Sequence, residues 1–383
     1  MRASIWISLL VLGASLSGCQ NAPGNPSDSI PAPIAASTDF SGDAAFAHLR
    51  ALAALGPRVA GTPGAAAARD YLRGELEKLG LTVEERRFAG PPGPDGAPQE
   101  LVNLVAVIPG DSPQLFVLAA PYDTRHFDSF RFVGANDGAS APALLLELAR
   151  VIQVTPLRYT TWIVFLDGEA PNAAGEAADA MPALAGSSAL ARELLSETGA
   201  PPVRIIVLFQ QVGDADLHVV RDLRSHRLFR EEFWLGAARL GRSDAFRPGD
   251  PFESPVGTQV PFLAAGFRGV VMITDPAYGG SEPPGAFANS EDDTPDHCSP
   301  QSLASVGVVT LEALDRIGER LVKIDRFAKP AARPTRTPSE APTEREPADT
   351  APTQTPPAPA VDPAAPPVTP SPEGSEPAPP PRP

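Results

Sequence analysis

Three acidic residues follow apolar or glycine-rich segments, where a folded chain can present side chains that do chemistry. Asp123 follows the apolar run 115–120, Glu169 follows the run 160–166, and Asp137 lies in a glycine-rich turn. A carboxylate in such a position can ligate a metal ion or shuttle a proton. Structural uses are favoured over catalytic ones, because Asp137 can cap the following helix and Glu169 can accept hydrogen bonds from backbone amides.

Two other kinds of chemistry find no support in the sequence. A serine nucleophile is not indicated, since no Gly-x-Ser-x-Gly segment is present. The formal net charge of −15 argues against a nucleic-acid partner, because nucleic-acid binding depends on Lys and Arg near phosphates. A metal-free hydrolase with Glu169 as its base stays open as a minor alternative.

Helical and strand patterns alternate over residues 39–327. Such alternation predicts a three-layer α/β/α fold with a mostly parallel central sheet. The predicted helices are 41–56, 63–80, 139–152, 187–198, 223–240 and 302–322, and the predicted strands are 82–88, 101–108, 115–120, 160–166, 203–209 and 270–274. Because sites in such folds form at the carboxyl ends of strands, we expect the residues just after these strands to share one edge.

The first 18 residues have the pattern of an export signal. Arg2 precedes the apolar run 5–12, which is too short to span a bilayer comfortably. The segment 16–19, Leu-Ser-Gly-Cys, resembles a bacterial lipobox, and this resemblance implies acylation of Cys19. By the same resemblance Gln20 favours the outer membrane, facing the periplasm or the cell surface. We therefore expect a lipoprotein anchored in the membrane, unless the cysteine is a chance feature of an ordinary signal peptide.

Both flanks of the central region have a composition that does not favour a packed core. Residues 19–38 are predicted to form a flexible tether. Proline makes up about a third of residues 329–383, so the segment 328–383 is predicted to be a disordered or polyproline-like tail. The tail is interpreted as a spacer or as a contact for the cell wall or a proline-binding partner. With Cys19 acylated, Cys298 has no cysteine left to pair with.

Several segments in one order resemble the clan MH metallopeptidases, which include zinc aminopeptidases and glutaminyl-peptide cyclotransferases. The resemblance covers residues 39–327 and implies a zinc ion that polarises a substrate carbonyl or amide, with a carboxylate as proton shuttle. The surroundings of 122–124 and 147–150 favour a cyclase ancestry. The segments that carry the resemblance are 56–64, 103–106, 121–124, 132–140, 165–169, 186–187, 292–294 and 299–300.

The resemblance also assigns the metal ligands, and most of these positions are substituted. It places the bridging aspartate at Asp137 and the general base at Glu169. The remaining ligand positions fall at Pro121, Ala170, Gln210 and Asn289. A two-zinc site would keep one ligand of five, and a cyclase site one of three. The side chains of proline and alanine carry no donor atom, and neutral amides are poor zinc ligands.

Two further residues near these positions bear on the metal. The resemblance implies that Asp123 would orient the histidine that Pro121 replaces, so we expect it instead in a turn or paired with Arg125. His126 is the candidate for a replacement ligand, and its alternative is an exposed loop residue. His297 follows the acidic pair 292–293, whereas the family's histidine precedes it.

The sequence leads to two main hypotheses about function. The favoured one is a non-catalytic pseudoenzyme that acts as a lipid-anchored binding or scaffold domain, without a bound cofactor and with a peptide or protein ligand in its cleft. The alternative is an active glutaminyl-peptide cyclotransferase or zinc aminopeptidase, which holds zinc through atypical ligands.

Overall fold

The computed structural model describes residues 39–92, 97–170, 184–196, 202–247, 249, 252–253 and 257–328. The predicted signal peptide, Cys19, the tether and the tail beyond residue 328 lie outside these residues. No helix in the described ranges is long and apolar enough to cross a membrane.

Helices and strands alternate through the described residues as the sequence predicts. The helices are α1 (Gly42–Ala54), α2 (Pro63–Lys78), α3 (Ala141–Val154), α4 (Ala185–Ser196), α5 (Arg227–Arg239), α6 (Gln259–Ala264) and α7 (Pro300–Ala328). The strands are β1 (Val83–Ala89), β2 (Glu100–Ile108), β3 (Ser112–Pro121), β4 (Tyr159–Leu166), β5 (Val203–Gln210) and β6 (Val270–Thr274). A π-helical turn (Asn136–Ser140) precedes α3, and a 3₁₀ turn (Pro295–His297) precedes α7.

The six strands form one mixed sheet in the order β1-β2-β4-β3-β5-β6. The pairs β1/β2 and β2/β4 are antiparallel, whereas β3/β4, β3/β5 and β5/β6 are parallel. The parallel strands are continuous buried runs, which fits a sheet covered on both faces. The predicted mostly parallel α/β sheet is confirmed.

Alternate residues of each strand face two separate apolar cores. Leu118 and Ala120 pack with the core on the side of α1, α2, α3, α5 and α7. Val117 and Ala119 belong to the second core, to which α4 contributes Leu190 and Ala191 and α6 contributes Phe262. Helices therefore cover both faces of the sheet, and the predicted three-layer architecture is confirmed.

The starts of two helices and the presence of a third differ from the prediction for local reasons. Helix α5 begins at Arg227, because Asp222 and Ser225 bond to each other in a turn and the His226 side chain accepts a hydrogen bond from the Phe229 amide. Helix α7 begins at Pro300, next to a Ser299 hydroxyl that accepts from the Ser302 amide. Helix α6 was not predicted, because its six residues are too few to show a helical period.

Candidate functional site

The carboxyl ends of three adjacent parallel strands bring the predicted site positions to one edge of the sheet. Pro121 is the last residue of β3 and lies opposite Leu166, the last residue of β4. Gln210 ends β5, on the other side of β3. Glu169 and Ala170 follow β4 after a short turn. The prediction that these positions share one edge is confirmed.

Asp123 ties the end of β3 to the end of β4. Its carboxylate accepts hydrogen bonds from the backbone amides of Glu169, at 3.0 Å, and Ala170, at 2.9 Å. The side chain is buried, and burial raises the pKa of Asp123 well above its usual value. The expectation of a local turn or of Arg125 as its partner was wrong, because Asp123 holds the segment that carries the general-base position.

Glu169 is buried and bonded to the start of α4. Its Oε1 accepts a hydrogen bond from the Ser187 amide at 2.7 Å, which confirms that a backbone amide is its partner. Its Oε2 has no hydrogen-bond partner within bonding distance among the described residues, although the neighbouring Thr258 hydroxyl favours the charged form of the carboxylate. Burial is the larger effect and raises the pKa of Glu169 to about 7.

This raised pKa predicts a dependence of stability on pH. A carboxyl whose pKa is higher in the folded state stabilises the fold below its unfolded pKa and loses that contribution as the pH rises through about 7. We therefore expect Glu169→Gln, relative to the parent chain, to gain roughly 3 kcal/mol in free energy of unfolding between pH 5 and pH 8. Urea unfolding at both pH values measures the change, and the exposed carboxylate variant Glu291→Gln is the control. Parallel pH profiles for parent and Glu169→Gln would contradict the assignment.

The turn that contains Asp137 is clamped by an acidic residue from the last loop. The buried Asp293 carboxylate accepts hydrogen bonds from the amides of Asn136, at 2.6 Å, and Asp137, at 3.1 Å. Burial raises the pKa of Asp293 to about 7. Gly138 has a φ of +87° in the same turn, and a Cβ there would lie 2.5 Å from the Asp123 carbonyl oxygen. The acidic loop and the glycine-rich loop therefore form one unit.

Asp137 does not cap a helix. It lies in the irregular part of the π-helical turn, and α3 starts four residues later, after Ser140. Burial raises the pKa of the Asp137 carboxyl, whereas the guanidinium groups of Arg58 and Arg125 lower it. The retained aspartate is therefore balanced by two cations of the protein itself.

Arg58 is fully buried and joins three loops at this edge. Its guanidinium donates hydrogen bonds to the carbonyl oxygens of Gly56 (3.0 Å), Tyr122 (3.2 Å), Val133 (2.7 Å) and Gly134 (2.8 Å). Burial lowers the pKa of Arg58 to about 10, and nearby carboxylates oppose that shift. The segment 56–64, which contributes to the family resemblance, contains Arg58, but no pattern in it indicated that Arg58 would join these loops.

The two histidines weighed from the sequence have partners other than the carboxylates of the site. The His126 side chain is exposed and its Nε2 lies 2.9 Å from Asp128 Oδ1. The alternative of an exposed loop residue therefore describes His126, and the replacement-ligand interpretation finds no support. The His297 ring stacks on Phe287 with centroids 3.7 Å apart. Asn289 has a φ of +55°, a conformation that asparagine tolerates better than most residues.

The donor groups at this edge do not fit zinc. Catalytic zinc sites use three protein ligands and water. Within the ranges that the structure describes, no group of three or more His, Cys, Asp or Glu side chains is arranged to hold a metal ion. Both oxygens of Asp123 are bonded to amides, and the guanidinium groups of Arg58 and Arg125 lower the pKa of Asp137 against the effect of burial. The chemistry of the residues present therefore gives no basis for a metal-dependent step.

Two polar residues that the sequence did not indicate lie at the same edge. Thr258 and Gln259, at the start of α6, are both buried. In the part of the chain that the structure describes, the Thr258 hydroxyl and both amide atoms of Gln259 have no hydrogen-bond partner. A threonine followed by a glutamine in a loop gives no periodic signal, so only the structure could find them. Buried polar atoms without partners are rare enough to indicate a place where a ligand could bond.

Comparison with known proteins agrees with the fold and the sheet edge described above. The model of Peptidase family M28 matches residues 103–314. A glutaminyl-peptide cyclotransferase of Drosophila melanogaster is 32% identical over 122 residues, which cover 30% of this chain and 33% of that protein. One from Boiga irregularis is 30% identical over 207 residues, which cover 49% of this chain and 54% of that protein. The chain thus spans between a third and about half of the length of these curated relatives.

Solved structures extend the similarity over the whole folded region. A glutaminyl cyclase from an Acidobacteriales bacterium superposes with a TM-score of 0.66 at 29% identity, over 78% of this chain and 100% of that one. A Zn-dependent exopeptidase from Parabacteroides distasonis superposes with a TM-score of 0.63 at 21% identity, over 72% and 98%. The second likeness concerns the fold alone.

Proposed function

The chain belongs to peptidase family M28, and from this premise we propose that it is a non-catalytic, glutaminyl-cyclase-like binding domain. The observation that carries the proposal is the set of side chains at the family's metal positions. These positions hold Pro121, Ala170, Gln210 and Asn289, of which none offers a good zinc ligand. A lost metal removes the electrophile on which the family's chemistry depends.

A second set of observations supports a retained cleft. Asp123 still positions the segment after β4, and Glu169 is held by Ser187 with one carboxylate oxygen unpartnered. Thr258 and Gln259 add further unpartnered polar atoms at the same edge. Such groups suit a small polar ligand, of which the exposed end of a peptide is the natural candidate given the family.

One observation favours the alternative of an active glutaminyl-peptide cyclotransferase or aminopeptidase. Burial raises the pKa of Glu169 to about 7, and a general base works best with a pKa near the operating pH. A base alone does not supply the electrophile, so the non-catalytic proposal is preferred.

A turnover assay distinguishes the two proposals. Residues 20–383 retain every described residue and can be tested on peptides with N-terminal glutamine and on aminoacyl amides, with and without added zinc. We expect no turnover above background from the parent chain and the same background from Glu169→Gln. Turnover by the parent chain that disappears in Glu169→Gln would establish the enzyme.

Lipid anchoring through Cys19 is part of the proposal and has its own test. The lipobox-like segment 16–19 supports it. The parent chain expressed in a bacterium should carry an acylated N-terminal cysteine by mass spectrometry and partition with envelope membranes. Cys19→Ala should remove the acyl mass, and an unmodified mature parent chain would refute the anchor.

A further inference from the structure

Helices α5 and α7 lie antiparallel, so the start of α5 is beside the end of α7. Two ion pairs fix this arrangement: Arg320 Nε lies 3.0 Å from Glu232 Oε1, and Arg239 Nε lies 3.0 Å from Glu312 Oε1. As residue numbers rise along α5, those of its partners on α7 fall. Leu228 is one turn before Glu232, and therefore lies near the last two turns of α7.

Large apolar side chains are exposed at this end. In the described residues, eight large apolar side chains are exposed, and five of them belong to α5, α7 or the turn before α5. Leu228 is 53% exposed, Ile324 47% and Phe327 90%. A phenylalanine this exposed at the end of a long helix contributes nothing to the core, and clustered apolar exposure of this kind indicates an interaction surface.

The same end carries exposed cations that are not neutralised by any acidic side chain in the described part of the chain. Arg227, Lys323 and Arg326 are exposed and have no ion pair among the described residues. The nearby acidic groups are already paired, since Asp325 binds Arg204 and Glu232 binds Arg320. This region is therefore cationic, whereas the whole chain has a net charge of −15.

We propose that the surface at this end docks on an anionic phospholipid bilayer. We call it the basic apolar patch, and its six members are Arg227, Leu228, Lys323, Ile324, Arg326 and Phe327. Apolar side chains interleaved with Lys and Arg are the pattern by which a helix binds the surface of an anionic membrane. The acidic remainder of the chain is repelled by such a surface, and this repulsion favours an orientation in which the cationic end faces it.

Other occupants fit the charges less well. A second copy bound through the same patch would bring like cations together, because a two-fold interface places each patch against itself. A folded protein partner needs a pocket for the protruding Phe327 ring, whereas the soft interface of a bilayer accepts it without one. The contact requires no acyl group, so it stands independently of Cys19 and of the proposed function.

Vesicle flotation tests the proposal with residues 20–383, which lack Cys19. We expect the chain to float with vesicles of phosphatidylglycerol and phosphatidylcholine. With vesicles of pure phosphatidylcholine, we expect it to remain unbound at the bottom of the gradient. Rising salt should weaken the binding because it screens the cations. One Lys or Arg near an anionic surface contributes about fivefold to partitioning, so Lys323→Gln with Arg326→Gln should lower it by about 25-fold.

Matched variants show whether a loss of vesicle binding is specific to the basic apolar patch. Phe327→Ser should also lower partitioning, whereas Val154→Ser, at a position that is 75% exposed on α3, should not. Arg50→Gln is the exposed charge control, and an unchanged circular dichroism melt shows that each variant is folded. Absence of binding to the anionic vesicles, or binding that survives both patch variants, would overturn the proposal. Binding to soluble polyglutamate but not to vesicles would assign the patch to an acidic protein instead.

Discussion

Replacing Arg58 with alanine should lower the free energy of unfolding by about 4 kcal/mol. The change leaves four buried or part-buried carbonyl oxygens, those of Gly56, Tyr122, Val133 and Gly134, without their Arg58 donor. Removing one partner of a buried charged network costs about 3–5 kcal/mol, because the remaining charges and dipoles stay buried and uncompensated. Denaturant unfolding with the parent chain as reference measures the loss.

A lysine at the same position separates the charge from the shape of the guanidinium. Arg58→Lys keeps the cation near Asp137 and Asp293 but cannot reach several carbonyls with one ammonium group. We expect it to recover less than half of the lost stability. Arg50→Ala, on the exposed face of α1, should change stability by less than about 0.5 kcal/mol. A loss of under 1 kcal/mol for Arg58→Ala would show that the three loops hold together without it.

The second large effect is a gain of metal binding. Ala170→Glu together with Asn289→His should raise the zinc content of the purified chain from near zero to about one ion per molecule. With Asp137 retained, these two changes would complete the three ligands that the resemblance assigns to a cyclase site. Position 289 has a φ of +55°, which histidine tolerates better than most side chains, so the change should not unfold the loop.

Neutral replacements of similar size provide the control for this gain. Ala170→Gln with Asn289→Gln fills the same space without good zinc donors, and we expect it to stay free of zinc. Elemental mass spectrometry after zinc loading and desalting gives the stoichiometry of each variant. If the chain with Ala170→Glu and Asn289→His also binds no zinc while remaining folded, the assignment of ligand positions to residues 170 and 289 is wrong.

The sequence was sufficient to predict the fold because its patterns are local. Apolar runs such as 160–166 predicted buried strands, and the alternation of strands with helices predicted the layers. The common edge of Pro121, Glu169 and Gln210 followed from the same topology. The start of α5 was mispredicted because the turn at Asp222 and Ser225 depends on side-chain bonds that periodicity does not contain.

The site was less predictable because its contacts are distant in the chain. Asp123 was expected to bond locally, yet its partners lie at Glu169 and Ala170. The carbonyls that Arg58 binds extend to Gly134, and Thr258 interacts with Glu169 although α4, β5 and α5 lie between them in the chain. Such partners follow from the packing of whole elements, so residue type and spacing could not indicate them.

The zinc content of the unmodified chain shows whether its metal site has been lost. Residues 20–383 would be loaded with zinc, desalted and measured by elemental mass spectrometry together with the protein concentration. We expect a value near zero, since Asp137 alone of the assigned ligands is retained. A value near one or two that falls when Asp137 is changed to alanine would contradict it and restore the metalloenzyme interpretation.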